Sequence, residues 1–161
     1  MMKTRSGMTR MGWVVGALVG VAVAGAPVQA QSAVPSGAEL AAVLEAEATR
    51  LHAVPERWSD AASLYVAAAQ LRQHEDPQAR QDLFLAANLY YQAGDKSAAM
   101  SALESAGTRA VASGDPALAA QMFANAALVA EEVGLTNEGR RLRSRASDLA
   151  YASRPGAPTR G

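Results

Sequence analysis

Few residues in this chain have the side chains that acid–base or nucleophilic catalysis requires. The sequence contains two histidines, His52 and His74, in no pattern that would bring them together, and it contains no cysteine. It also lacks a zinc-protease motif, a glycine-rich phosphate loop and a Gly-x-Ser-x-Gly nucleophile motif. Because an active site needs a nucleophile, a base, a metal or a cofactor cradle, we predict a non-enzymatic protein without cofactor or metal.

Arginines cluster near the end of the chain, where Arg140, Arg141, Arg143 and Arg145 follow one another closely. Arg141 and Arg145 are four residues apart and would share one face of a helix. Such a face could dock an acidic protein, an anionic polymer or lipid headgroups. The alternative is the solvated face of a terminal helix. Arg141 and Arg145 are therefore partner-binding candidates.

The first 30 residues have the composition of a signal peptide. Three basic residues precede an uncharged, mostly apolar run from Trp13 to Ala26, and Val28-Gln29-Ala30 supplies small residues for cleavage before Gln31. The alternative is an uncleaved signal anchor. Cleavage would leave residues 31–161 with 12 basic and 15 acidic residues, and this balance argues against nucleic acid as a partner. We therefore expect a periplasmic or secreted protein without a membrane span after cleavage.

The remainder of the chain is predicted to be helical. Alanine, the strongest helix former, dominates residues 38–152, and no window alternates with the period of a strand. Asp76 and Asp115 each precede a proline and are predicted N-caps, as are Asp95 and Thr136. Glycines suited to helix C-termini recur every 20 residues, at Gly94, Gly114 and Gly134. The predicted helices span residues 38–53, 55–73, 77–93, 95–113, 116–133 and 136–152.

This pattern divides the chain into four segments. Residues 1–30 are the signal peptide, residues 31–37 a linker, and residues 38–152 a helical repeat domain. Residues 153–161, rich in proline and glycine, are a disordered tail.

The helices form an internal repeat. Asp76-Pro77 and Asp115-Pro116 begin two helical segments 39 residues apart, and a fixed period in this range is typical of stacked supersecondary units. At the same offset the first helices of three hairpins share columns, which are Leu44, Leu83 and Met122; Ala48, Ala87 and Ala126; and Leu51, Tyr90 and Val129. The alanine column predicts close helix packing. The last helix, with Arg143 at an apolar position of the repeat, fits a terminal capping element whose outer face meets water.

The middle repeat resembles the tetratricopeptide repeat. Its residues follow the order and spacing of that family's pattern, at Leu83, Ala87, Tyr90, Gly94-Asp95, Ala99, Leu103 and Ala106. The resemblance covers residues 38–152. It implies an all-α fold of three stacked antiparallel helical hairpins, with six helices in a right-handed α-solenoid.

The resemblance also implies a concave groove lined by the first helix of each hairpin. A groove with aromatic anchors beside amides could hold an extended peptide. The partner-binding candidates there are Gln81, Phe84, Asn88, Tyr91, Gln92, Phe123 and Ala127. Alternatively, Phe84 and Phe123 pack in the core and Tyr91 is an ordinary surface tyrosine.

Together these observations predict an exported interaction or scaffold module that binds a protein or peptide partner. The alternative is a structural module of an envelope assembly that associates with its own copies. The second helix, with Trp58, Leu64 and Tyr65, offers a surface for such self-association.

Overall fold

A computed structural model describes residues 34–154, and this part of the chain is all-α. It contains six α-helices: α1 (Gly37–His52), α2 (Trp58–Leu71), α3 (Pro77–Gln92), α4 (Lys96–Ala112), α5 (Pro116–Glu132) and α6 (Thr136–Ala152). A short 3-10 helix, Pro55–Arg57, precedes α2, and no strand occurs in the described range. The all-α prediction with six helices is confirmed. The predicted signal peptide, the first residues of the linker and most of the tail lie outside the described residues.

Side-chain caps define the helix starts much as predicted. The Ser36 side chain accepts from the backbone N–H of Glu39, whose carboxylate accepts from the Ser36 backbone N–H in return. The carboxylates at positions 76, 95 and 115 each cap the helix that follows. The predicted Thr136 cap is wrong, because Thr136 is already the first residue of α6 and Leu135 takes the cap position. The glycines at positions 94, 114 and 134 have positive φ angles, as their predicted place after helix ends requires.

Each helix packs mainly against the next one in the chain. Short connections make consecutive helices antiparallel, so α1–α2, α3–α4 and α5–α6 are three hairpins stacked in order. Alanine fills most of the buried positions, which allows the helix backbones to approach closely. Within residues 34–154, no helix combines the length and apolarity needed to cross a bilayer.

Burial shows the true register of the repeat. Each first helix has two fully buried alanines seven residues apart, which are Ala41 and Ala48, Ala79 and Ala86, and Ala119 and Ala126. The repeat is therefore offset by 38 residues between the first two hairpins and by 40 between the last two. The predicted offset of 39 is wrong by one residue at each step. The helix α5 starts 39 residues after α3, but α5 has 17 residues and α3 has 16. The buried positions inside α5 therefore follow those inside α3 by 40 residues.

Candidate functional site

A groove runs between α3 and α5, which are parallel, with α4 at its base. It contains two cavities, of about 380 and 260 Å³. The larger lies near the helix N-termini and is lined by Pro77, Arg80, Gln81, Ala106, Leu118, Gln121 and Met122. The smaller lies toward the C-termini and is lined by Ala87, Asn88, Tyr91, Ala99, Leu103, Asn125, Leu128, Val129 and Glu132. Phe84 lines both cavities and so lies between them. We call this surface the α3–α5 groove.

The two phenylalanines, predicted as equivalent, have different environments. Phe84 is 38% exposed in the groove, whereas Phe123 is fully buried. The Phe123 ring packs against Gly107 of α4, and the Arg145 guanidinium lies 4.1 Å from the ring centroid. Phe123 thus follows the core alternative. The cause is the register, since at an offset of 40 Phe123 corresponds to buried Leu83.

The same shift overturns one predicted groove residue. Ala127 was expected on the solvent side, but it is 1% exposed and belongs to the core. At the observed offset it corresponds to Ala87, which is also buried. The predicted exposure of Ala127 is therefore wrong.

The α5 residues that line the groove were missed by sequence reasoning, among them Gln121, Asn125 and Leu128. A 40-residue offset would have found two of them, since it matches Gln121 to Gln81 and Leu128 to Asn88. Leu128 is 56% exposed, more than Phe84 or Tyr91 in the same groove. Amide side chains therefore line each cavity from both walls.

Tyr91 closes one end of the groove through an ionic contact. Its hydroxyl donates to the Glu132 carboxylate at 3.0 Å, and Lys96 Nζ lies 2.9 Å from the same carboxylate. The ammonium is also 5.6 Å from the Tyr91 ring centroid. The hydrogen bond from Lys96, and then that from Tyr91, lowers the pKa of Glu132. Gln92, also predicted for the groove, is exposed but lines neither cavity.

Three arginines of α6, Arg141, Arg143 and Arg145, contact other residues of the chain. Arg141 binds Glu138 on its own helix and Glu104 of α4, the latter at 2.6 Å. These hydrogen bonds raise the pKa of Arg141. Arg143 binds Glu131 at 2.5 Å, while Arg145 covers Phe123. Arg141 and Arg145 are outside the α3–α5 groove, so the structure does not join them to the other candidates.

A second polar cluster surrounds Asp82, which is completely buried on α3. Its Oδ2 atom has no hydrogen-bond partner among residues 34–154 and lies 3.6 Å from Arg72 Nε. That guanidinium also binds Glu45 of α1 and Asp76, so one cation is shared by three carboxylates. Gln78 donates to Asp82 Oδ1 at 3.2 Å. Burial, with the nearby Glu45 charge, raises the pKa of Asp82 to about 6.

The residues suggested for self-association on the second helix belong largely to the first hairpin's own packing. Tyr65 is buried, and its hydroxyl bonds that of Thr49 at 3.1 Å. The Trp58 indole donates to the carbonyl of His52 at 3.1 Å, and Leu64 packs partly buried against the core. The suggestion is wrong for Tyr65, because its ring fills the space between α1 and α2.

Within residues 34–154, no three histidine, cysteine or acidic side chains form a group able to hold a metal ion. The histidines lie on different elements, His52 at the end of α1 and His74 after α2. No family model, curated protein or solved structure matches this chain.

Proposed function

We propose that this chain is an exported, non-enzymatic binding protein that holds an extended peptide segment of a partner in the α3–α5 groove. The observation that carries the proposal is the half-exposed ring of Phe84 between two cavities with amides on both walls. Exposed aromatic groups in a concave surface favour a partner. The resemblance to tetratricopeptide repeats supports the same use of the first helices.

The groove chemistry fits a peptide backbone. An amide side chain both donates and accepts hydrogen bonds, as a peptide unit does. Gln81 and Asn88 are seven residues apart, or about 10 Å along a helix, and about three extended residues cover that distance. We expect one apolar side chain of the peptide in each cavity, with Phe84 between them as the main anchor.

The proposed compartment rests on the sequence. The basic start, the apolar run and the small residues before Gln31 support export to the periplasm or outside the cell. The acidic balance of residues 31–161 favours a protein or peptide over a nucleic acid.

A displayed library of random peptides tests the proposal. Peptides selected on the wild-type protein are measured against Phe84→Ala and against Val111→Ala. Val111 is 40% exposed and lines neither cavity of the α3–α5 groove, so it is a matched control for loss of an exposed apolar side chain. We expect Phe84→Ala to weaken binding about tenfold or more and Val111→Ala to leave it unchanged. Equal binding to all three proteins would refute the groove.

A further inference from the structure

The C-terminal end of the stack repeats the α3–α5 groove with one wall missing. A cavity of about 490 Å³ there is lined on α5 by Ala117, Ala120, Gln121 and Ala124, and on α6 by residues including Ala146. At an offset of 40, the four α5 positions match Pro77, Arg80, Gln81 and Phe84, and Ala146 matches Ala106. All five matching residues line the larger cavity of the α3–α5 groove. We call this open surface the terminal groove.

In the α3–α5 groove, the wall that the terminal groove lacks is supplied by α5, the first helix of the following hairpin. Leu118, Gln121 and Met122 of α5 complete the larger cavity. The corresponding residues of α1, 78 positions earlier, are Leu40, Val43 and Leu44. Leu40 is 41% exposed and Val43 is 67% exposed. The first helix thus presents to solvent the apolar residues whose counterparts close this type of groove.

The charges at the two ends are complementary in the same register. Beside the terminal groove, Arg143 pairs with Glu131, and these residues match Leu103 and Tyr91. In the smaller cavity, Leu103 and Tyr91 lie with Asn125 and Leu128. On α1, the residues that match Asn125 and Leu128 are Glu47 and Arg50, which form an exposed ion pair at 3.0 Å. A following α1 would therefore bring Glu47 to Arg143 and Arg50 to Glu131.

We propose that copies of this chain associate head to tail, with α1 of one copy seated on the terminal groove of another. The contact continues the packing that already joins α5 to α3 and α4. It is heterologous, since different surfaces of the two copies meet, and such contacts build rings or open filaments. Gln121 is the one residue that lines both the terminal groove and the α3–α5 groove. The other residues of the α3–α5 groove stay free in each copy, so the proposal does not depend on the peptide.

Sedimentation velocity of wild type and two single-substitution variants tests this arrangement. Each protein is expressed as the full chain and purified in the form that the cells produce. Val43→Asp places a charge on the α1 surface, and Ala124→Arg fills the terminal groove. Both positions are exposed, so we expect unchanged helical circular dichroism. Wild-type protein should form dimers and larger species between micromolar and millimolar concentration, while each variant alone should stay monomeric. A wild type that is monomeric throughout this range would overturn the proposal.

Mixing the two variants separates head-to-tail association from a symmetric dimer. Val43→Asp keeps an intact terminal groove, and Ala124→Arg keeps an intact α1 surface. We expect the mixture to form a 1:1 dimer that grows no further. Absence of that dimer, or oligomers that persist in either variant alone, would overturn the proposal. Phe84→Ala is the control and should associate like wild type, because Phe84 does not line the terminal groove. Association is therefore tested whether or not Phe84 binds a peptide.

A charge exchange tests the register. Arg143→Glu alone should weaken association at least several-fold, because it faces Glu47 of the following copy. Combining it with Glu47→Arg should restore part of the loss, and the restored part should shrink in high salt. No recovery in the double variant would contradict the predicted pairing.

Discussion

The first and second junctions between hairpins occupy the same place in the repeat but contain different groups. Where the first hairpin meets α3, buried Asp82 lies near the Arg72 guanidinium, which Glu45 of α1 also binds. Where the second hairpin meets α5, the position that matches Asp82 is Met122. Beside it, the Phe123 ring fills the space against α4.

The difference shows that repeat geometry does not require one kind of contact. The second junction depends on shape, because an aromatic ring packs where α4 has a glycine instead of a methyl group. The first junction depends on ionisation, because its carboxylates outnumber the available cation. We therefore expect the second junction to respond to changes in side-chain volume and the first to changes in pH.

Removing the aromatic ring at the second junction should have the largest effect. Phe123→Ala leaves a cavity between α4 and α6, and a buried phenylalanine lost in this way costs about 3–5 kcal/mol of unfolding free energy. Urea unfolding followed by circular dichroism measures the loss. Phe84→Ala is the control and should cost about 1 kcal/mol, since that ring is already partly in water. Similar losses for the two variants would contradict the assignment of Phe123 to the core.

Neutralising the carboxyl at the first junction should stabilise the protein at neutral pH. Asp82→Asn keeps the shape, and its amide can donate to Glu45 while its carbonyl accepts from Gln78. Arg72 keeps Glu45 and Asp76 as partners. We expect the free energy of unfolding of Asp82→Asn to exceed that of wild type by on the order of 1–2 kcal/mol near pH 7.5. Urea unfolding measures this difference. A loss of stability there would show that the Arg72 contact outweighs the burial of the charge.

The pH dependence has a definite sign. The pKa of Asp82 is about 6 in the folded chain, above the ordinary value of 3.8, so folding favours its protonated form. The resulting stabilisation is complete below 3.8 and is lost as the pH rises through 6. Between pH 5 and 7.5, wild type should therefore lose stability relative to Asp82→Asn. Parallel stability profiles for the two proteins would contradict the raised pKa.

Adding a methyl group to the glycine of the second junction should have a smaller effect. A Cβ atom on Gly107 would lie 3.0 Å from the Phe123 ring, which Arg145 covers on another side. Overpacking costs about 1–3 kcal/mol, and the better helix propensity of alanine offsets about 1 kcal/mol. We expect Gly107→Ala to lower the free energy of unfolding in urea by about 1 kcal/mol. In the Phe123→Leu background the same substitution should cost nothing relative to Phe123→Leu alone. A loss that persists in the double variant would show that the ring is not the obstacle.

The sequence predicted the helices well because their signals are local. Aspartate caps and glycine C-termini depend only on adjacent residues, and they were largely correct. The register between α3 and α5 was wrong because it was read from the helix starts, Pro77 and Pro116, which are 39 residues apart. The glycines after these helices, Gly94 and Gly134, are 40 residues apart and agree with the buried positions. That shift buries Ala127, which was expected at the surface, and it decides in favour of the core alternative for Phe123. The cluster around Asp82 was not predicted, because Glu45, Arg72 and Asp82 meet only when three helices pack.

The ionic contact at the end of the α3–α5 groove should affect titration more than stability. Glu132 is exposed, and Lys96 followed by Tyr91 lowers its pKa. Lys96→Gln should therefore raise the Glu132 pKa more than Tyr91→Phe does, and both variants should unfold like wild type because exposed ion pairs add little. NMR titration of the Glu132 side chain measures this order. A larger rise in Tyr91→Phe would show that the hydroxyl, rather than the ammonium, controls this carboxylate, and that the cross-groove bond between α3 and α5 is its main contact.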